Sequence, residues 1–369
     1  MSKKKLLIYG AGAIGRGYIP WVYRPEKYEY YYVESNPALR NLLNDRGLFA
    51  TFKVINGEYE SLHVPLIECF KPGEEGAVLD SVAAIITCVG PRSFPTLEST
   101  FRNCKVPVIC CENDANLPVE MREHTKNPNI IFAIPDVITS NTASKEMLKK
   151  DPLAVITEDG TFFADEYASQ IEGNCSYVGR EELKVQWLAK LYIHNTPHCI
   201  AAYLGSIIGV QYLHETMQCA AANRIVEGAM HEMENMLKFS TNIDHEFLRF
   251  YANKELSRFR NSLLCDPISR VAREPFRKLA RNDRLIGAAQ SCLSNGVIPK
   301  FLMLGIMAAF CFDSIDDPDS HIKYLLRSLR PEEFLRTIIG LHESEALFSL
   351  LVSNWDSNFQ KIMELSNEK

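Results

Sequence analysis

Short apolar runs alternate with polar, turn-forming stretches through the first half of the chain, and a 3.6-residue rhythm takes over in the second. Leu6 to Tyr9 is the first run, followed by a glycine-rich turn and an apolar helix start. Tyr30 to Val33, Ala83 to Val89, Val106 to Cys111, Ile130 to Ile134 and Leu153 to Thr157 repeat the theme. Short apolar runs closed by Gly, Pro, Asn or Asp read as buried strands, and strands alternating with helical stretches read as a parallel sheet. Residues 158–180 read as loop and edge. From Glu181 the stripe Leu183, Trp187, Leu188 and Leu191 has helical spacing. Helices are predicted over Leu204 to Phe239, His245 to Leu264, Arg284 to Ser294, Lys300 to Phe312 and His321 to Leu329, with short helices after them. Asp316-Asp317-Pro318-Asp319 marks a turn. A chain of 369 residues exceeds one ordinary core. The pattern therefore predicts an α/β domain with a mostly parallel sheet over residues 1–180 and an all-α domain over 181–369.

Composition narrows the classes. Apolar residues make up 46% of the chain, enough for full cores. A net charge of −6 and a pI near 5.9 argue against nucleic acid or an anionic membrane as the main partner. The cysteines number 11, are scattered and form no CxxC, which points to reduced thiols and a cytoplasmic setting. No zinc-type spacing occurs, so no metal is expected. Lys3-Lys4-Lys5 before Leu6 resembles a signal-peptide start, but glycines and Arg16 break the apolar run at once, as a strand and turn would. Phe301 to Phe312 is apolar over only 12 residues, which suits a buried helix and not a membrane span.

Candidate chemistry begins at Gly10-Ala11-Gly12-Ala13-Ile14-Gly15, a G-x-G-x-x-G between a strand and a helix. Such glycines let a pyrophosphate approach the helix N-terminus closely. Glu34 ends the second run, 19 residues past Gly15, where a carboxylate can hold ribose hydroxyls and repel a 2′-phosphate. NAD is thus favoured over NADP. Ligands of open parallel sheets sit at strand carboxyl ends, which makes Cys88, Gly90, Asn113 and Asp136 crevice candidates. Ordinary turn chemistry would place the same residue types there.

In the second half Lys190, Asn195 and His198 end a helix. In an α-helix Asn195 lies about 140° round from Lys190, and His198 about 80°. The three can face one cavity, as a base, an oxyanion donor and an orienting imidazole. His194, about 40° from Lys190, is geometrically as good. Pro197 would kink the helix. Solvated lysine and core histidines are the plain alternative. Residues 254–284 hold nine basic and four acidic side chains, either a salt-bridged face or an anion site.

These motifs together resemble the polyol-specific long-chain dehydrogenases. Tyr9 to Gly17 is similar to that family's opening fingerprint, and Cys110-Cys111-Glu112-Asn113 to its strand-end motif. Lys190 to Gly205 (KLYIHNTPHCIAAYLG) resembles its catalytic helix, and Arg258 to Ile286 (RFRN, RVAREPFRKL, DRLI) its second signature. The resemblance implies a Rossmann-type N-terminal domain, a helical C-terminal domain, NAD as cofactor and no metal. It implies Lys190 as general base, Asn195 and Asn113 around the reacting oxygen, and His198 on a substrate held between the two halves. Arg270, Arg273, Lys278 and Asp136 are the candidates for substrate binding. The implied reaction oxidises a sugar-alcohol phosphate to a ketose phosphate, mannitol 1-phosphate to fructose 6-phosphate. The other readings are a free polyol, a hexuronate, or a silent dinucleotide-binding regulator. A monomer or weak homodimer is implied. Two positions depart from the pattern: Pro197 replaces a usual glycine, and Val137 after Asp136 replaces a usual arginine.

Overall fold

The computed structural model describes residues 2–314, 317 and 319–367. The chain divides into two compact units: Met1–Trp187 with Leu263–Cys265, and Leu188–Ser262 with Asp266–Lys369. Asp316 and Pro318 of the expected turn lie outside the described residues. Asp317 is described, and its Oδ1 accepts from the Asp319 N–H at 2.8 Å.

The first unit is built on ten strands: β1 Lys4–Tyr9, β2 Tyr28–Val33, β3 Leu48–Ile55, β4 Glu58–Phe70, β5 Ala84–Thr87, β6 Val108–Cys110, β7 Ile130–Asp136, β8 Val155–Glu158, β9 Thr161–Asp165 and β10 Ser176–Val178. Their order is β10-β9-β7-β6-β5-β1-β2-β4-β3-β8. From β4 to β7 every neighbouring pair across the centre (β4-β2-β1-β5-β6-β7) is parallel. Alternate residues feed opposite cores. Leu6, Ile8, Tyr30, Tyr32 and Ile86 pack on one face, and Leu7, Tyr9, Tyr31, Ile85 and Val108 on the other. Burial on both faces is why these runs are continuously apolar. The chain leaves β1 on one side, toward β2, and returns on the other at β5. The crevice at a sheet's switch point therefore opens at the carboxyl ends of β1 and β5.

The apolar pattern predicts no strand between Val33 and Ala83, and the structure has two. Strands β3 and β4 form an antiparallel hairpin in which polar and apolar residues alternate, so no continuous apolar run betrays it. Its turn is Asn56-Gly57, with φ of 50° and 82°, the left-handed pair a two-residue hairpin needs. One end of the sheet is formed by β9 and β10, in the 158–180 stretch expected as loop and edge, with β9 antiparallel to β7.

The second unit is helical, apart from an isolated bridge between Tyr212 and Pro267. Its centre is the helix Thr196–Ile208, buried along almost its whole length. Ala220–Ser240 and Lys300–Phe310 pack on it. Close approach is set by glycine: a Cβ on Gly305 would lie 2.5 Å from the Ile200 side chain, and one on Gly228 would lie 2.3 Å from the Phe301 ring. The single helix expected over Leu204 to Phe239 is three. Gly209, at φ 82°, ends the first, and Leu213–Gln218 precedes the third. His245–Phe259 also stops short, followed by the turn Ser262–Leu264 and by Cys265 at φ 45°. No helix among the described residues is long and apolar enough to cross a membrane.

Candidate functional site

The glycine turn follows β1 directly. Gly10, at φ 92°, takes a conformation other residues resist, and a Cβ there would lie 2.5 Å from the Cys88 carbonyl oxygen. A Cβ on Gly15 would lie 2.0 Å from the Gly10 carbonyl oxygen, whereas one on Gly12 meets nothing within 4 Å. Gly15 thus closes the turn on itself, Gly10 packs against the end of β5, and Gly12 leaves a space beside the turn. Ala13 and Ile14 open a π-helical segment, Ala13–Tyr18, and Tyr32 Oη donates to the Gly15 carbonyl at 3.0 Å.

Glu34 reaches this turn. Its Oε2 accepts from the Ala11 N–H at 2.9 Å and its Oε1 from the Asn36 N–H at 2.8 Å. Asn36 in turn caps the helix Pro37–Arg46, accepting from Ala38 N at 3.0 Å and Leu39 N at 3.2 Å. A capped helix and a strand end thereby fix a carboxylate beside the glycines. This cradle fits a dinucleotide: backbone packed too tightly for side chains, one open glycine, and an acid where a ribose would lie. Cys88 and Gly90 follow β5, with Gly90 at φ 83°. Burial raises the Cys88 thiol pKa, and the Cys111 thiol hydrogen-bonds to it. Asn113 stands half-buried beyond β6, and Asp136 is the buried last residue of β7. Val137 sits in the core, 7% exposed, where a guanidinium would have to be buried.

Glu112 carries no role of its own in the sequence pattern. It is buried, and accepts from Thr87 Oγ1 at 2.5 Å and Val89 N at 3.1 Å. Burial pushes its carboxyl up to about 7, against the hydrogen bonds that lower it. Its place after a strand was the available signal.

In the second unit the expected catalytic stretch is not an α-helix. Lys190–Asn195 is π-helical, and the Thr196 N–H bonds the Leu191 carbonyl, five residues back. Pro197 has no N–H to donate, and the wider winding absorbs the missing bond. The expected 140° between Lys190 and Asn195 is therefore corrected. In i→i+5 winding the two stand about one turn apart on one side. Both are buried.

Two buried acids flank the histidines. His198 Nε2 lies 2.9 Å from Asp266 Oδ2, whose Oδ1 accepts from Arg270 Nε at 3.0 Å and Nη2 at 2.5 Å. Burial lowers the His198 pKa to about 4 in spite of the aspartate, so the ring is neutral at pH 7. Burial also works to raise the Asp266 pKa, but the Arg270 charge and the bonds from His198 and Arg270 hold it low. A neutral imidazole donating from Nε2 keeps its Nδ1 lone pair as an acceptor. His194 Nδ1 pairs with Glu255, which also holds Arg258, at 2.5 Å, and Lys254, at 3.4 Å. The His194 and His198 rings lie 4.8 Å apart, and Phe259 stacks on His198 at 5.1 Å. These partners are 61 and 68 residues away in sequence, beyond the reach of any spacing argument.

The basic stretch is mostly spoken for. Arg260 pairs with Glu227, and Arg277 with Glu274 and Asp283. Arg281 pairs with Glu345, and Arg284 with Asp283. Lys278 is buried with its ammonium on the Val271 and Arg273 carbonyls, and burial lowers its pKa to about 7. Of the three basic residues expected at a substrate phosphate, Arg270 is held by Asp266 and Lys278 by backbone. Arg273 is exposed and has no carboxylate within 4 Å among the described residues. Although the residue is exposed, partial desolvation of its guanidinium and the nearby Arg270 charge lower its pKa. Among the described residues no group of three or more His, Cys, Asp and Glu could hold a metal ion.

The family model of the mannitol dehydrogenase C-terminal domain matches residues 184–327. A mannitol-1-phosphate 5-dehydrogenase of Bacillus licheniformis is 30% identical over 94% of this chain and 98% of its own. One of Brevibacillus brevis is 30% identical over 90% and 92%. Among solved structures, Pseudomonas fluorescens mannitol 2-dehydrogenase in complex with NAD and D-mannitol superposes with a TM-score of 0.75 at 13% identity, covering 100% of this chain and 95% of that one. A D-sorbitol dehydrogenase gives 0.67 at 14% identity, covering 98% and 95%. At those identities the two structures speak for the fold alone.

Proposed function

Since the chain belongs to the mannitol dehydrogenase family, we propose that it interconverts a sugar-alcohol phosphate and a ketose phosphate, mannitol 1-phosphate and fructose 6-phosphate. Family membership makes it an NAD-dependent oxidoreductase. The curated relatives it resembles are mannitol-1-phosphate 5-dehydrogenases, and they supply the substrate class. Among the described residues no cysteine forms a disulfide, which supports a reducing, cytoplasmic setting.

The observation that carries the mechanism is the π-helical turn. It sets an amine and an amide about one turn apart, followed closely by a neutral histidine. Oxidising a secondary alcohol requires loss of the hydroxyl proton, departure of a hydride from carbon, and donors for the oxygen that becomes carbonyl. Bound NAD supplies the hydride acceptor. Gly10, Gly12 and Gly15 would hold its pyrophosphate, and Glu34 would accept from its ribose hydroxyls. Lys190 Nζ takes the hydroxyl proton, and the amides of Asn195 and Asn113 donate to the developing oxyanion. His198, with Nε2 tied to Asp266, accepts a neighbouring substrate hydroxyl at Nδ1. Arg273 binds the phosphate.

The test is NADH oxidation with fructose 6-phosphate, fructose and a hexuronate, for the parent and Lys190→Ala. Turnover of fructose 6-phosphate only, lowered about 10²–10⁴-fold in the variant, is the expected result. Undiminished turnover by the variant would remove Lys190 from the role of base. One observation favours a second reading, a free polyol as substrate. Arg270 and Lys278 are already engaged inside the protein, which leaves Arg273 as the free candidate for a dianion. Turnover of fructose alone would select that reading.

A further inference from the structure

Arg16 follows the last glycine of the turn, and the mechanism above does not use it. It is 5% exposed. Its Nε donates to the Ala11 carbonyl at 2.5 Å and its Nη1 to the Leu153 carbonyl. Its guanidinium lies 5.9 Å from the Phe49 ring centre. Among the described residues no carboxylate lies within 4 Å of it. A buried cation held only by carbonyls costs stability, because carbonyl dipoles replace water incompletely. Apolar packing would be cheaper at this site, so the charge requires another explanation.

The peptide that Arg16 holds supplies it. The Ala11 N–H is bound by the Glu34 carboxylate at 2.9 Å, and the Ala11 carbonyl by Arg16. A trans peptide is planar, with its C=O and the following N–H pointing in opposite directions. Holding the Ala11 carbonyl against the guanidinium therefore turns the Gly12 N–H the opposite way. That N–H meets no acceptor among the described residues, and a Cβ on Gly12 would enter space with nothing within 4 Å. The open side of the turn and its spare donor coincide. We propose that Arg16 is a positioning residue for the dinucleotide: it aims the Gly12 N–H at the pyrophosphate and sets a positive charge, with no carboxylate within 4 Å among the described residues, behind that dianion. This rests on the NAD reading of the glycine turn. Glu34 then has two tasks, the ribose and the Ala11 N–H, and the turn is clamped between one anion and one cation.

A purely structural Arg16 would serve only to tie Leu153 to the turn. The experiment separates the two by charge. Dissociation constants for NADH, ADP-ribose and adenosine are measured for the parent, Arg16→Lys and Arg16→Met, by fluorescence titration and competition, with thermal melting of each apoprotein. Arg16→Met is expected to weaken NADH and ADP-ribose about tenfold, the size of one charge-assisted hydrogen bond. It should leave adenosine, which has no phosphate, within about twofold, and should not lower the melting temperature. Arg16→Lys should recover most of the lost affinity. Undiminished ADP-ribose binding by Arg16→Met would overturn the proposal, as would equal losses for adenosine and ADP-ribose. If Arg16→Met does not fold, Arg16→Gln carries the same comparison, and failure of both to fold would show that the charge serves the fold. A parent that binds no NADH would instead overturn the cofactor reading itself, and this proposal with it.

Discussion

At the scale of residues, the site is held by partners that come from far along the chain. Asp266, itself held by Arg270, fixes the His198 tautomer, and burial keeps the ring neutral. Asp266→Asn removes that hold and leaves the Arg270 charge uncompensated, so kcat/KM should fall about 10- to 100-fold, more than KM alone accounts for. Steady-state kinetics on the accepted ketose checks this, and an unchanged kcat/KM would exclude the orienting role. Arg273→Ala should raise KM for a phosphorylated ketose about 10- to 100-fold and leave a free ketose unaffected. Equal effects on both would remove the phosphate contact. Glu112 gives a pH signature. Burial raises its folded pKa to about 7, above the 4.5 of an ordinary glutamate. Its contribution to stability is therefore full below pH 4.5 and is lost as the pH rises through 7. Glu112→Gln has no charge to bury, so it should gain on the parent between pH 5 and pH 8, by up to about 3 kcal/mol. Denaturant melts at the two pH values decide it, and parallel behaviour would mean that the carboxyl titrates normally.

At the scale of elements, two π-helical segments stand where chemistry is expected, Ala13–Tyr18 and Lys190–Asn195. Neither was legible, because hydrophobic periodicity cannot distinguish four from five residues between hydrogen-bond partners over so short a span. The glycine turn was legible, since its chemistry is local: tight backbone needs glycine, and strand and helix flank it. Glu34 was legible for the same reason. Asn56-Gly57 is an equally plain hairpin signal, but polar residues on the exposed face of β3 and β4 hide the strands that flank it. The glycines yield a paired expectation. Gly15→Ala forces a Cβ to within 2.0 Å of the Gly10 carbonyl, so melting temperature and NADH binding should both fall. Gly12→Ala meets nothing within 4 Å, so melting should hold while NADH affinity falls. Identical behaviour of the two variants would count against the cradle.

At the scale of the whole molecule, the fold class was readable from strand runs giving way to helical spacing, but the path of the chain was not. The first unit is discontinuous: after Trp187 the chain builds part of the helical unit, and residues 263–265 return to the sheet unit. There Leu263 accepts from Tyr59 Oη at 2.6 Å and Cys265 from Ser140 Oγ at 3.1 Å. Tyr59→Phe removes one of these ties and should lower stability by about 1 kcal/mol, read as a shift in the urea midpoint. No shift would mean that water satisfies the Leu263 carbonyl equally well. The returning strap also sets a timetable for synthesis. A ribosome that has finished residue 187 has made every strand of the sheet, yet must add 78 more residues before Cys265 emerges. At about 5–20 residues per second, the nascent sheet waits roughly 4–16 s with its strap missing. During that interval the β3–β4 hairpin, which carries Tyr59, is the part of the sheet that chaperones have most reason to guard.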